Sequence, residues 1–199
     1  MTSPLSCPGP DFASKSLPIH TVPAGSKLPR FHDVNYGPLY FNRTTDFRWN
    51  SPNGSFGVCY VGLSDEASFA ETFLRDPGRS YIDLDLVASR AMSRLSAVRE
   101  LRLVEMANNG LYQVGVSSLV CSITPYDLPH AWAAAIHGHP DKPDGILYRS
   151  SHDDSAYCAG LFDRAEDALL DDKKPETDLI GQDWFWDLIG RYNLTIPPS

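Results

Sequence analysis

At 199 residues the chain is long enough for one sizeable core, and a single domain is expected. A hydrophobic content of 42% with 21% charged residues excludes wholesale disorder, and a formal net charge of -8 argues against broad nucleic-acid binding, which draws on clustered Lys and Arg. No apolar run approaches the roughly 20 residues that cross a bilayer, and the opening MTSPLSCPGPDF lacks a basic flank followed by an apolar segment, so neither membrane insertion nor secretion by that route is expected.

Residues 1–26 are rich in Ser and Pro with little hydrophobic periodicity and are expected to form a loosely attached arm ahead of one domain over 27–199. Lys27 to His32 is the first expected strand, placed at an edge or a strand start by Pro29. Tyr36 to Asn42 is an aromatic loop suited to walling a pocket. The chain then enters its organising stretch, Phe47 to Phe73, which opens on Arg48-Trp49 and the turn formers Asn50 to Gly54. Val58-Cys59-Tyr60-Val61 predicts a strand. Ser64 is placed to cap a following helix, Asp65 and Glu66 suit its positive end, and Ala67, Ala70, Phe73 and Leu74 recur at helical spacing. Glu71 falls on that helix one step from the apolar stripe, aimed at solvent or into a cleft.

Arg75-Asp76-Pro77-Gly78 ends the helix. Tyr81 to Val87 is strand or connector, SAVRELRLVEM (96–106) reads as one strand, and Asn109-Gly110 is a second turn. The alanine-rich Ala131 to His137 predicts a short helix ending at Gly138. Ile146-Leu147-Tyr148 is a strand running into Arg149-Ser150-Ser151-His152, Ala159 to Phe162 is a further apolar patch, and an acidic loop surrounds Asp171-Asp172. Trp184 to Ile189 forms a C-terminal amphipathic helix or cap.

Cys7, Cys59, Cys121 and Cys158 lie far apart with no Cys-x-x-Cys pair, which favours reduced thiols in a cytoplasmic protein over a zinc knuckle or a redox dithiol. His137 and His139 lack the helical spacing and the glutamate of a metalloprotease, so no metal is expected. No Gly-x-Gly-x-x-Gly, Walker lysine or Gly-x-Ser-x-Gly motif is present. Four residues remain for chemistry: Arg30, Tyr60, Glu71 and Ser150. Spacing alone also allows each an ordinary role, as a surface cation, a core aromatic, a solvated helix face and a turn hydroxyl.

The order Arg30, Arg48-Trp49-Asn50-Ser51-Pro52, Val58 to Val61, Ala70-Glu71, Asp144 to Ser150 and Ala159 to Phe162 resembles the RES domain family, over about Arg30 to Phe162. The resemblance implies an α+β fold like that of ADP-ribosyltransferases, a split mixed β-sheet core with flanking helices. It also implies an activity that destroys NAD+, as substrate and not cofactor, with water or inorganic phosphate as acceptor, often in the toxin of a bacterial toxin–antitoxin pair. Transfer of ADP-ribose to a protein, or a non-catalytic nucleotide-binding module, are the alternatives. Carried over by position, Arg30, Glu71 and Ser150 are the expected catalytic residues, with Arg48, Tyr60, Tyr40 and Ser151 on the substrate. Many members carry Pro where this chain has Arg149, which makes Ser151 a second candidate for the family serine. Residues 81–110 look like a helix-rich insertion. An antitoxin covering the site is the partner implied, and the oligomeric state stays open, a homodimer included.

In the expected roles, the arginines grip pyrophosphate oxygens in pairs, and Tyr60 offers a flat face to nicotinamide or ribose. Glu71 stabilises the oxocarbenium-like sugar or orients the attacking group. Ser150 positions the substrate and is no nucleophile, since His152, two residues on, is expected to point elsewhere.

Overall fold

The computed structural model describes residues 6–171 and 173–197. Residues 1–5 of the expected arm and Asp172 of the acidic loop lie outside them. The fold is α+β, with two sheets and flanking helices, the split mixed-sheet core expected.

The larger sheet has the order β1-β5-β6-β7-β3, built from Ile19–Val22 (β1), Val58–Gly62 (β3), Leu101–Met106 (β5), Gly145–Arg149 (β6) and Tyr157–Phe162 (β7). Its one parallel pair is β5 with β6; the others are antiparallel. The smaller sheet is antiparallel, order β2-β4-β8, from Lys27–Asp33 (β2), Arg90–Ala97 (β4) and Leu169–Leu170 (β8). Pro29 sits on the edge strand β2, where a missing N–H costs least.

Strand periodicity explains the layers. Leu101 and Leu103 of β5, Leu147 of β6, Ala159 and Leu161 of β7, and Cys59 and Val61 of β3 pack with Leu28, Leu95 and Ala97 of the smaller sheet. The alternate residues, Val104, Met106, Ile146, Tyr148, Cys158 and Phe162, turn to the other face and meet Trp132, Ala133 and Ile136 of the helix Asp127–His137. That larger sheet is therefore covered on both faces, which is why its strands are continuous apolar runs. A third cluster gathers Phe31 and Met92 with Phe69 and Phe73 of α1 (Asp65–Phe73) and Phe185, Leu188 and Ile189 of the C-terminal helix Asp183–Arg191.

Three expectations are corrected. The arm is not loose within its described part: β1 pairs with β5 along its whole length, and Phe12 is buried edge-on against Trp132 at 5.3 Å. Tyr81 to Val87 contains a short helix, α2 (Leu84–Ala88). SAVRELRLVEM is two strands in different sheets, parted at Val98–Glu100, so 81–110 is an integral part of both sheets and not a helix-rich insertion. The turn expected at Asn109-Gly110 is present, and it leads into a five-residue helix, α3 (Gly110–Val114). The helix Asp127–His137 is α4 and Asp183–Arg191 is α5.

Candidate active site

Ser64 caps α1 by accepting from the Ala67 N–H at 3.2 Å, and Ser68 on the same helix accepts from the Phe31 N–H of β2 at 2.9 Å. This second bond docks α1 against β2 beside Arg30. The loop before β3 is held from below by Tyr60, whose hydroxyl accepts from the Trp49 N–H and donates to Asn50 Oδ1, both at 2.9 Å. Asn50, fully buried, donates onward to Asn42 Oδ1 at 2.8 Å and to the Thr44 carbonyl at 2.7 Å.

Between these elements lies a cleft of about 820 Å³, within the range of small-molecule sites. Its walls include Arg30, Tyr40, Arg48, Tyr60, Glu71 and Ser151, six of the seven residues singled out from sequence. The seventh, Ser150, is not on the wall. It is buried, and its Oγ accepts from the backbone N–H groups of His152 at 3.1 Å and Asp153 at 3.4 Å, so it braces the loop after β6. Ser151 next to it is exposed and lines the cleft. His152 lines the cleft too, contrary to the expectation that it points away, because the loop that Ser150 braces turns it inward.

The cleft's charges divide into paired and unpaired. Arg79 pairs with Asp76 and Asp83, and Arg90 with Asp33. Arg30, Arg48 and Arg75 have no carboxylate partner among the described residues. Arg30 donates to the Tyr40 carbonyl at 3.1 Å and to Cys59 Sγ, while its Nε is buried without an acceptor. Arg48 donates to the Ile123 carbonyl at 2.6 Å and lies over the Tyr126 ring at 4.9 Å. Arg75 donates to the Glu71 carbonyl at 2.8 Å and flanks Phe47. Glu71 Oε1 is buried with no hydrogen-bond donor. A buried polar atom left unpaired costs about 1–3 kcal/mol, so Glu71 and Arg30 each carry unmet bonding capacity beside the cleft, as does Arg90 through its Nε.

The neutral groups around Glu71 respond to it. Burial pushes the Tyr60 and Tyr148 hydroxyls above the usual tyrosine range, and the Glu71 charge pushes the same way. Both stay protonated. Burial lowers His152, opposed by Glu71 and assisted by Arg75 and Arg48. Cys121, also on the wall, is pushed by burial to about 12, which removes it as a nucleophile near neutral pH. Among the described residues no group of three or more His, Cys, Asp or Glu is arranged to hold a metal ion, and no helix is long and apolar enough to cross a membrane.

Sequence reasoning missed Arg75, Phe47 and Tyr126 on the wall. Arg75 was within reach of it: four residues past Glu71, it stands just beyond the end of α1, in the helix stop that the sequence announces. Phe47 and Tyr126 lie in loops, where no periodicity marks a facing side chain.

A family model of the RES domain matches residues 25–187. No curated protein matches the chain. Among solved structures, a chain of the M. tuberculosis MbcT-MbcA toxin-antitoxin complex shares the fold, with a TM-score of 0.66 at 13% identity over 85% of this chain and 92% of that one.

Proposed function

The chain belongs to the RES domain family, and on that premise we propose that its cleft takes NAD+ and breaks the bond between nicotinamide and ribose, as the toxin of a toxin–antitoxin pair. The observation that carries this reading is the unpaired Glu71 carboxylate in one cleft with three guanidinium groups that lack carboxylate partners, in a chain of net charge -8. Such a site suits a ligand that is anionic at one end and develops positive charge at the other.

NAD+ has that character. Its pyrophosphate meets Arg30 and Arg48, whose planar forks match phosphate oxygens in pairs. Arg75, just past the end of the helix that carries Glu71, adds a third cation. When the glycosidic bond breaks, its electron pair goes to the pyridinium nitrogen and nicotinamide leaves neutral. The ribose carries the positive charge, which Glu71 stabilises; this charge is absent from the ground-state sugar, so the interaction accelerates the chemistry and not only binding. Oxygen of water then bonds to the anomeric carbon and the water gives up a proton, yielding ADP-ribose. A phosphate oxygen in its place yields ADP-ribose 1″-phosphate. Phe47, 5.7 Å from Tyr60 ring to ring, supplies an aromatic wall for nicotinamide beside Tyr60.

The fold it shares with a chain from a toxin–antitoxin complex supports a protein partner that covers the cleft. Stacked Tyr36 and Tyr40, with ring centroids 4.8 Å apart and both exposed at the cleft, offer that partner an apolar rim.

The test is to incubate the purified protein with NAD+ and follow nicotinamide, ADP-ribose and ADP-ribose 1″-phosphate, with and without inorganic phosphate. Release of nicotinamide is expected, and Glu71→Gln is expected to reduce it by about 10²–10³-fold with the thermal transition retained. A Glu71→Gln variant as fast as the parent removes Glu71 from the chemistry. Label from NAD+ appearing on protein would instead assign transfer of ADP-ribose.

A further inference from the structure

We propose that His152 takes the proton from the attacking water, and that it serves hydrolysis and not phosphorolysis. The proposal rests on the NAD+-cleaving reading of this same cleft.

His152 lines the cleft with Glu71, Arg48 and Arg75. Neither of its ring nitrogens has a hydrogen-bond partner among the described residues, although its backbone is held firmly. Ser150 Oγ accepts its N–H, the Ser150 N–H donates to the Ala156 carbonyl at 3.0 Å, and Tyr192 of the segment after α5 donates to Asp153 Oδ2 at 2.7 Å. A braced backbone that presents an imidazole with both nitrogens free to a polar cleft is the arrangement a proton acceptor needs. Ser150 thereby gains a role without touching substrate, as the positioning residue for His152.

The charges facing the ring agree. Glu71 approaches from α1, Arg75 from the turn after it and Arg48 from the loop before β3, while the neutral Tyr60 and Tyr148 line the same cleft from β3 and β6. Burial and the two arginines keep the imidazole neutral at neutral pH, so it is free to accept, and Glu71 then stabilises the imidazolium that forms. In the step itself, the water oxygen bonds to the anomeric carbon of the ribosyl cation and one water proton passes to the imidazole, which later releases it to solvent. Phosphate at neutral pH already carries a charged oxygen, so it needs no proton acceptor.

The experiment measures both products of NAD+ cleavage for the parent and for His152→Gln across about pH 5 to 8.5, alongside thermal unfolding. Parent hydrolysis is expected to fall as pH drops through the imidazole pKa. The variant is expected to lose about 10²–10³-fold in hydrolysis and that acid limb, while phosphorolysis stays within about threefold. Hydrolysis by the variant at the parent's rate and with its pH profile overturns the proposal and leaves the NAD+ reading standing. A parent that consumes no NAD+ overturns both. Should the variant fail to fold, NMR titration of the His152 ring in the parent and in Glu71→Gln decides: removing the carboxylate is expected to lower its pKa, and an unchanged pKa counts against the proposal.

Discussion

Asn50 is fully buried with both ends of its amide bonded, and it joins three pieces of the cleft: Asn42, Thr44 and the Tyr60 hydroxyl. Asn50→Ala leaves the Tyr60 hydroxyl and the Thr44 carbonyl short of partners and is expected to cost about 1–3 kcal/mol, read from urea unfolding. The same variant frees the loop that carries Phe47 and Arg48. At Arg48 itself, lysine keeps the charge but loses the planar fork and the packing over Tyr126. Arg48→Lys is expected to raise KM for NAD+ about tenfold with kcat within about twofold, the mark of lost ground-state grip. Arg30, Tyr60 and Glu71 were legible in the sequence because their types and order match a family pattern. Asn50 was not, since the same Asn-Ser-Pro-Asn-Gly run that signals a turn says nothing of which amide is pulled inward. Ser150 was legible as a position but not as a brace, because its bonds go to backbone N–H groups that sequence does not distinguish.

Among the elements, the passage from β3 to α1 was the clearest in the sequence and is tightly constrained in space. A Cβ on Gly62 would lie 2.5 Å from the Ser68 nitrogen and 2.6 Å from the Ser64 oxygen, both backbone atoms of the capped first turn. Gly62→Ala is expected to destabilise by about 1–3 kcal/mol and, by displacing α1, to lower NAD+ cleavage more than the Tm change alone explains; thermal unfolding and turnover on one preparation check this. Other elements were hidden for physical reasons. β4 and β5 merge in the sequence because Val98-Arg99-Glu100 holds no Gly, Pro or Asn to announce a corner. Ile82 just ahead of α2 and Leu84 and Leu86 within it recur at alternate positions, the spacing of a strand, yet the segment closes into five helical residues. β1 spans four residues between Pro18 and Pro23, too short for periodicity, and its partner β5 is distant in sequence.

For the molecule as a whole, three histidines set the acid side of its stability. His32, His137 and His152 are each lowered, first by burial, so the folded state resists protonation that the unfolded chain accepts. Their contribution is therefore complete above about pH 6.5 and is lost as pH falls below it. Asp33, Glu66 and Asp153 are lowered by hydrogen bonds, so a second loss sets in at more acid pH, once these carboxylates protonate below about 4. Tm is expected to decline in two steps on acidification, and His137→Gln is expected to shrink the first; a flat Tm from about pH 7 to 5 would contradict this.

The pairing of β3 with β7 bears on synthesis. Tyr60 lies opposite Gly160 and Val58 opposite Phe162, so the strand that carries Tyr60 has no partner strand in its sheet until the ribosome has added some 100 further residues. At about 5–20 residues per second that delay is about 5–20 s, during which the nascent chain has no assembled pocket. A chain that stops anywhere before β7 would thus lack the strand that pairs with the one carrying Tyr60, and its cleft would stay unassembled.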